Sequence, residues 1–131
     1  MANDLIPDDI RQFIVDKIDS VAELEGLLLM YKNPETSWNI EELSQRLYIS
    51  EAQTGEVVER LHSLGFLAVR QDDPPNYRYQ PSSDKLAGMV EQLDEFYAKY
   101  LVPVTNLIHN KPRTKVQQFA DAFKLRKKED E

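Results

Sequence analysis

Two histidines, 23 carboxylates and no cysteine are the side chains of this 131-residue sequence that could carry out chemistry. A zinc site needs histidine, cysteine or carboxylate ligands at characteristic short spacings along the chain. His62 and His109 fall on different predicted helices, and no ligand-like spacing surrounds either of them. Without cysteine, no disulfide and no thiolate metal site can form. The sequence therefore predicts that the protein binds no metal.

Catalytic carboxylate pairs and phosphate-binding loops are also missing from the sequence. Acidic residues occur side by side, as in Glu41 and Glu42 or Asp94 and Glu95. Adjacent positions on a helix point in different directions, so these carboxylates are better explained as solvated faces than as acid–base pairs. No glycine-rich loop that could hold phosphate is present. We therefore predict that the protein is not an enzyme and has no cofactor.

Residues 39–64 have the pattern of two consecutive helices. Asn39 is a suitable N-cap for the first helix, in which apolar residues recur at 3- and 4-residue spacing. Ser50 and Gln53 match the capping box that commonly opens a helix. The second helix is predicted to bury a stripe made of Thr54, Val57, Val58, Leu61 and Leu64.

A hairpin is predicted directly after the second helix. Gly65 is placed to end that helix in the left-handed conformation. Residues 66–69 and 76–79 are aromatic or β-branched runs separated by an Asp-Asp-Pro-Pro turn, which predicts two strands. Trp38 is expected on a short strand that pairs with this hairpin. Two helices joined by a tight turn and followed by a hairpin are the outline of a winged helix.

Further helices are predicted on both sides of this unit, over residues 8–18, 21–32 and 84–109. The apolar residues of the last helix alternate 4 and 3 apart, a spacing that lets two helices pack along their length in a homodimer. Two alternatives remain: the stripe covers the core of its own chain, or Pro103 kinks or breaks the helix. The predicted dimer interface consists of Leu86, Val90, Leu93, Tyr97, Tyr100, Val104 and Leu107.

The predicted fold is mainly α with a small β-hairpin, a winged helix-turn-helix with a flanking N-terminal helix and a long C-terminal helix. We divide it into residues 1–83 for the N-terminal helices and winged helix, 84–110 for the dimerisation helix, and 111–131 for a basic helix and tail. Phe119 and Phe123 lie one helical turn apart in this last segment and are expected to dock on a protein surface.

The formal net charge of −7 is unevenly distributed along the chain. Residues 1–110 carry 9 basic and 19 acidic side chains, whereas residues 111–131 carry 7 basic and 4 acidic ones. An acidic body disfavours non-specific DNA binding, because lysine and arginine contacts to phosphate supply most of that affinity. No apolar run reaches membrane-spanning length, and the N-terminus is unlike a signal peptide. We therefore expect a cytoplasmic protein with no membrane contact.

The stretch from Trp38 to Tyr79 resembles winged helix-turn-helix transcriptional regulators of bacteria. Glu42 and Leu43, with Leu47 and the Ile49-Ser50 pair, are similar to the first helix and turn of that family. The stretch that includes Val58, Leu61 and residues 65–67 is similar to the end of its recognition helix and the start of its wing.

The resemblance implies that the exposed face of the second helix contacts DNA bases and that the wing contacts phosphate. Gln53 could pair with adenine, and Arg60 could contact guanine or phosphate. On this hypothesis the DNA-binding residues are Arg46, Gln53, Arg60, Arg70 and Arg78.

The charges on the second helix support a different hypothesis. Glu51, Glu56 and Glu59 occupy positions where basic residues are commoner in DNA-binding members. An acidic helix face prefers a basic protein surface, so the winged helix would be a protein–protein interaction module that does not bind DNA. A small-molecule sensor, with Tyr77, Tyr79, Tyr97 and Tyr100 around a pocket, is a third alternative.

Overall fold

The computed structural model describes residues 6–110, which form helices and one two-stranded antiparallel sheet. This mainly α fold with a small β-hairpin confirms the predicted fold class. The predictions for residues 111–131 lie outside the described residues. In chain order the elements are α1 (Asp8–Lys17), α2 (Val21–Lys32), α3 (Ile40–Leu47), α4 (Glu51–Ser63), β1 (Leu67–Arg70), β2 (Asn76–Tyr79), α5 (Asp84–Lys99) and α6 (101–110).

Capping boxes fix the start of both helices in the helix-turn-helix. At α3 the Asn39 side chain accepts the Glu42 backbone N–H at 2.8 Å, and the Glu42 carboxylate accepts the Asn39 N–H at 3.1 Å. At α4 the Ser50 hydroxyl accepts the Gln53 N–H at 3.1 Å, and Gln53 Oε1 accepts the Ser50 N–H at 3.3 Å. Each box satisfies backbone donors that a helix start leaves without partners, which is why both predicted boundaries are confirmed.

Tyr48 ends α3 in the left-handed conformation, with φ 58° and ψ 40°. Its backbone N–H donates to the Ser44 carbonyl, so the chain reverses and enters α4 three residues later. Bulky residues seldom adopt this conformation, because Cβ crowds the backbone. The side chain is 93% exposed and projects from the turn into solvent.

The hairpin follows Gly65, whose φ of +92° confirms the predicted left-handed helix end. A Cβ at this position would approach the Ser82 hydroxyl oxygen at 2.6 Å, so both the backbone angle and the space favour glycine. Trp38 pairs with Tyr77 on the free edge of β2, with N–H to carbonyl distances of 2.8 Å in both directions. The predicted pairing of Trp38 with the wing is therefore confirmed.

The single helix predicted over 84–109 is two helices, because the chain leaves the helical conformation at Tyr100 (φ −129°, ψ 52°). A continuous helix would place the proline ring of Pro103 against the carbonyl of Lys99, which is four residues earlier and would also lose its backbone donor. The break removes this conflict, since α6 begins at residue 101 and Pro103 falls in its first turn, where no backbone N–H is required.

The two C-terminal helices pack against the rest of the chain around one core. Val90 and Leu93 of α5 and Val104 of α6 are fully buried in the same cluster as residues from α1, α2 and α4. Tyr97 Oη on α5 donates to a carboxylate oxygen of Glu25 on α2 at 2.6 Å. These contacts hold the winged helix against α1, α2 and α5 as one packed body.

Candidate interaction face of the helix-turn-helix and hairpin

Helix α4 buries the predicted stripe and exposes the opposite side. Thr54, Val57, Val58 and Leu61 are buried, and Leu64, just beyond the end of α4, is half-buried. We call the outward side of α4 the α4 ridge; its exposed residues are Glu51, Ala52, Gln53, Glu56 and Glu59. The ridge contains three carboxylates and no cation.

Gln53 is exposed on this ridge, but half of its amide is in use. Its Oε1 accepts the Ser50 backbone N–H and lies 3.3 Å from the Ser50 hydroxyl, which completes the capping box. Bidentate pairing with adenine needs both the oxygen and the nitrogen of the amide. Base contact of that kind would therefore require the α4 capping box to open.

Arg60 is held within the protein by two carboxylates. Its Nε donates to Glu23 Oε1 at 3.0 Å, and its Nη2 lies 3.0 Å from Asp19 Oδ2. The same Nη2 is 3.4 Å from the Lys17 carbonyl oxygen. These contacts tie α4 to the junction of α1 and α2 and neutralise the guanidinium. Arg60 therefore stabilises helix packing in this structure and offers no unpaired charge to DNA.

Arg46 lies on the exposed side of α3, next to the sheet. Its guanidinium carbon is 5.4 Å from the centroid of the Trp38 ring, a distance that permits a cation–π interaction. Trp38 is itself only 7% exposed, so Arg46 covers its ring. The guanidinium has no ion-pair partner among residues 6–110 and remains open to solvent.

Arg70 and Arg78 share one face of the hairpin, which we call the outer wing face. Arg70 is opposite Asn76 and Arg78 is opposite Ala68, and residues directly opposite each other in a sheet point to the same side. A cavity of about 300 Å³, also lined by Ser37, lies between them. Arg70 Nε pairs with Asp72 at 3.0 Å, and Arg78 Nη2 donates to Gln80 Oε1 at 2.9 Å, both in solvent.

The other face of the hairpin is apolar and aromatic. Leu67, Val69, Tyr77 and Tyr79 alternate with the arginines and point towards the core or α4. A groove of about 670 Å³ separates Val69 and Tyr77 from α4, and its helix side contains Glu56 and Glu59. The structure thus separates the wing cations from the carboxylates of the α4 ridge.

Two of the tyrosines proposed for a small-molecule pocket, Tyr79 and Tyr97, are engaged in packing between α2, β2 and α5. Tyr79 packs edge-on against Tyr31 at a centroid distance of 5.6 Å, and its buried hydroxyl has no hydrogen-bond partner among residues 6–110. Burial, with nearby Tyr31 and Glu91, raises the pKa of Tyr79 to about 12. Burial and the Glu25 carboxylate raise the pKa of Tyr97 to about 12 as well.

Three residues of the predicted dimer interface are covered by their own chain. Val90, Leu93 and Val104 have no exposed surface, which matches the alternative that the stripe covers the protein's own core. The other four residues of the predicted dimer interface are half-buried: Leu86, Tyr97, Tyr100 and Leu107. Leu101 and Val102, which follow the helix break, are 53% and 62% exposed and were not among the predicted interface residues. The sequence signal that could have identified these two residues is Pro103, because they follow the helix break that it imposes.

Between residues 6 and 110, no three histidine, aspartate or glutamate side chains are grouped so that they could hold a metal ion. Within that range, no helix combines the length and apolar composition needed to cross a bilayer.

Several solved structures share this fold. No family model and no curated relative matches the sequence. The transcriptional regulator Tm0710 from Thermotoga maritima is 18% identical, with a TM-score of 0.51 over 93% of this chain and 85% of that one. A MarR family protein from Bacillus stearothermophilus is 18% identical, with a TM-score of 0.50 over 94% and 84%.

The multiple antibiotic-resistance repressor MarR from Listeria monocytogenes is a further similar structure. It is 17% identical, with a TM-score of 0.50 over 90% of this chain and 81% of that one. At such low identities the similarity establishes the winged-helix fold of these regulators, and it does not carry over their binding residues.

Proposed function

We propose that the protein is a DNA-binding transcriptional regulator of the winged-helix type that acts as a homodimer. The observation that supports this most directly is the position of α4. Its apolar stripe is buried, and its ridge lies exposed beside a hairpin with two outward arginines. A recognition helix that enters the major groove beside a phosphate-contacting wing needs this arrangement. The fold shared with the Thermotoga regulator supports the same proposal.

Arg46, Arg70 and Arg78 supply the phosphate contacts in this proposal, and Gln53 contacts bases through its amide nitrogen, which the capping box does not use. All three arginines are exposed, and the Asp72 partner of Arg70 is itself in solvent, where an ion pair is worth at most about 1 kcal/mol. Arg60 is not included, because its release would leave the buried Glu23 carboxylate without its cation. Three phosphate-contacting arginines per chain provide little affinity for DNA, so two chains on two half-sites are needed for tight binding.

The dimer surface that we propose combines the half-buried residues of the predicted dimer interface with the exposed start of α6. Tyr100, Leu101 and Val102 are consecutive, and Phe96 stacks on Tyr100 at a centroid distance of 5.9 Å. Apolar side chains that remain exposed in one chain gain about 25 cal/mol per Å² when a second copy covers them. Val90, Leu93 and Val104 would stabilise the dimer only indirectly, by holding α5 and α6 in place.

Selection of duplex DNA tests the proposal. Full-length protein would be incubated at low salt with random duplexes and with the upstream region of its own gene, and binding of the enriched sequence measured by fluorescence anisotropy. With three arginines per chain on phosphates, a dimer should show a log–log salt slope of up to about −5. Absence of enrichment, together with no binding at micromolar protein, would reject DNA binding.

A second function, a protein–protein interaction module, is favoured by one observation. Glu51, Glu56 and Glu59 are all exposed, and none forms an ion pair within residues 6–110. The only arginine of α4 is neutralised by Asp19 and Glu23, so the α4 ridge is negative. Under this function a partner retained from cell extract should be lost when all three glutamates are changed to lysine. Equal retention by the wild type and the lysine variant would exclude this surface.

A further inference from the structure

An apolar groove of about 450 Å³ lies where the N-termini of α3 and α4 face the tip of the hairpin. Its floor is formed by Ile40, Ala52, Pro74 and Pro75. Ile40 packs partly on the core, and Ala52 and Pro74 are exposed, so the floor is open to solvent. Proline has no backbone N–H, so the wing side of the groove presents ring surface and no donor at these two residues.

The rim of the groove is negative. Glu41 and Glu51 both line it, and Asp73 immediately precedes Pro74 at the wing tip. All three are exposed, and none has an ion-pair partner among the residues that the structure describes. Within residues 6–110, no lysine or arginine lines the groove. Phosphate would be repelled here, whereas a cationic group beside an apolar one would find complementary surface for both.

We propose that this groove binds a short segment of a partner protein in which an apolar side chain is flanked by lysine or arginine. The apolar side chain covers Ile40, Ala52 and the proline rings, and the flanking cations pair with Glu41 and Glu51. The volume is within the range of about 300–1,000 Å³ that is usual for ligand pockets. This inference goes beyond the DNA-binding proposal and does not depend on it.

Occupation of the groove has a consequence for α4. Glu51 and Ala52 are the first two residues of that helix, at the end that a recognition helix inserts into the major groove. A peptide bound over Ala52 and insertion of α4 into DNA therefore exclude each other. The groove would let a basic partner segment control a DNA-binding winged helix by direct competition.

Selection from a random dodecapeptide library displayed on phage, with full-length protein as the target, tests the proposal. We expect enrichment of peptides in which arginine or lysine flanks leucine, isoleucine or an aromatic residue. The affinity of the best synthetic peptide should then fall at least about ten-fold in the double variant Glu41→Gln, Glu51→Gln. Ala52→Arg should also abolish binding, because the exposed position tolerates the side chain and its guanidinium fills the groove.

A matched control separates the groove from the net charge of the protein. Glu91 and Glu95 are exposed on α5, and their double change to glutamine alters the charge equally. It should leave peptide affinity within about two-fold, since screening weakens charges beyond a Debye length. Equal weakening by both double variants, or selected peptides without basic residues, would overturn the proposal. So would groove variants that change only the oligomeric mass, because a second copy would then be the occupant.

Discussion

The guanidinium of Arg60 joins three helices. It pairs with Asp19 and Glu23, and Glu23 also accepts the Asp19 backbone N–H at 3.2 Å. The Glu23 side chain is only 8% exposed, so the Arg60 guanidinium compensates a carboxylate that has little contact with water. The cluster therefore ties α4 to the junction between α1 and α2.

Changing Arg60 to methionine should lower the free energy of unfolding by about 2 kcal/mol, because it leaves a buried carboxylate uncompensated while keeping most of the apolar stem. Urea denaturation of the full-length protein measures this loss. Arg78→Met serves as the control and should cost less than about 0.5 kcal/mol, since the side chain is exposed and donates a hydrogen bond to Gln80 in solvent. Equal losses in the two variants would contradict a structural role for Arg60.

Replacing Tyr48 with glycine should raise stability by about 1 kcal/mol, because glycine has no Cβ that would crowd the backbone in the left-handed conformation. The side chain is 93% exposed, so little packing is lost. Tyr48→Phe keeps the crowding and should melt with the wild type. A lower melting temperature for the glycine variant would show that the ring makes contacts which outweigh the strained backbone.

Tyr79 and Tyr97 predict a loss of stability in alkaline solution. The pKa of each is raised to about 12, whereas an unfolded tyrosine ionises near pH 10. Their stabilising contribution is therefore complete below pH 10 and is lost as the pH rises from 10 to 12. The double change to phenylalanine should flatten this fall in a pH series of urea denaturations.

Tyrosinate absorbance provides the direct test of the same two groups. In the folded wild type two of the six tyrosines should titrate near pH 12. At neutral pH Tyr79→Phe should not destabilise the protein, because the deleted hydroxyl is buried and has no hydrogen-bond partner in the described part of the chain. Titration of every tyrosine near pH 10 in a protein that is still folded would refute the burial argument.

At the scale of elements, local signals predicted most boundaries. The Asn39 cap, the Ser50–Gln53 box and Gly65 each act through the adjacent backbone, so residue types alone were sufficient. The end of α5 was less predictable, because Pro103 acts on a carbonyl four residues earlier and the apolar spacing continues through the break. The left-handed Tyr48 gave no signal, since its residue type does not favour that conformation.

Leu101 and Val102 should support a dimer if the proposed surface at the start of α6 is correct. Changing both to aspartate should convert a dimer into a folded monomer, because neither side chain belongs to the core of its own chain. Light scattering gives the mass and circular dichroism the helix content. Leu93→Asp, by contrast, should unfold the chain, since Leu93 has no exposed surface. A wild-type mass of one chain at tens of micromolar would reject the dimer.

At the scale of the molecule, charge distribution separates the two candidate functions. The sequence predicted an acidic body and five DNA-binding candidates. Which of these side chains are free to contact DNA depends on tertiary contacts. Arg60 is engaged by partners 37 and 41 positions away in the sequence, which no local pattern reports. Arg70 and Arg78 could be assigned to one face only after the strand register was known. The candidate arginines that remain available are Arg46, beside the sheet, and Arg70 and Arg78, on the outer wing face. The α4 ridge, by contrast, is negative.

The most direct test of the DNA-binding account is the affinity of an arginine double variant for the selected duplex. Arg70→Gln with Arg78→Gln removes both cations of the outer wing face, and Lys85→Gln with Lys99→Gln removes two exposed cations from α5. Fluorescence anisotropy at about 50 mM salt should show at least a ten-fold loss of affinity for the wing variant, because a dimer loses four phosphate contacts, and little change for the control. Equal affinities of the wing variant and the wild type would contradict the account.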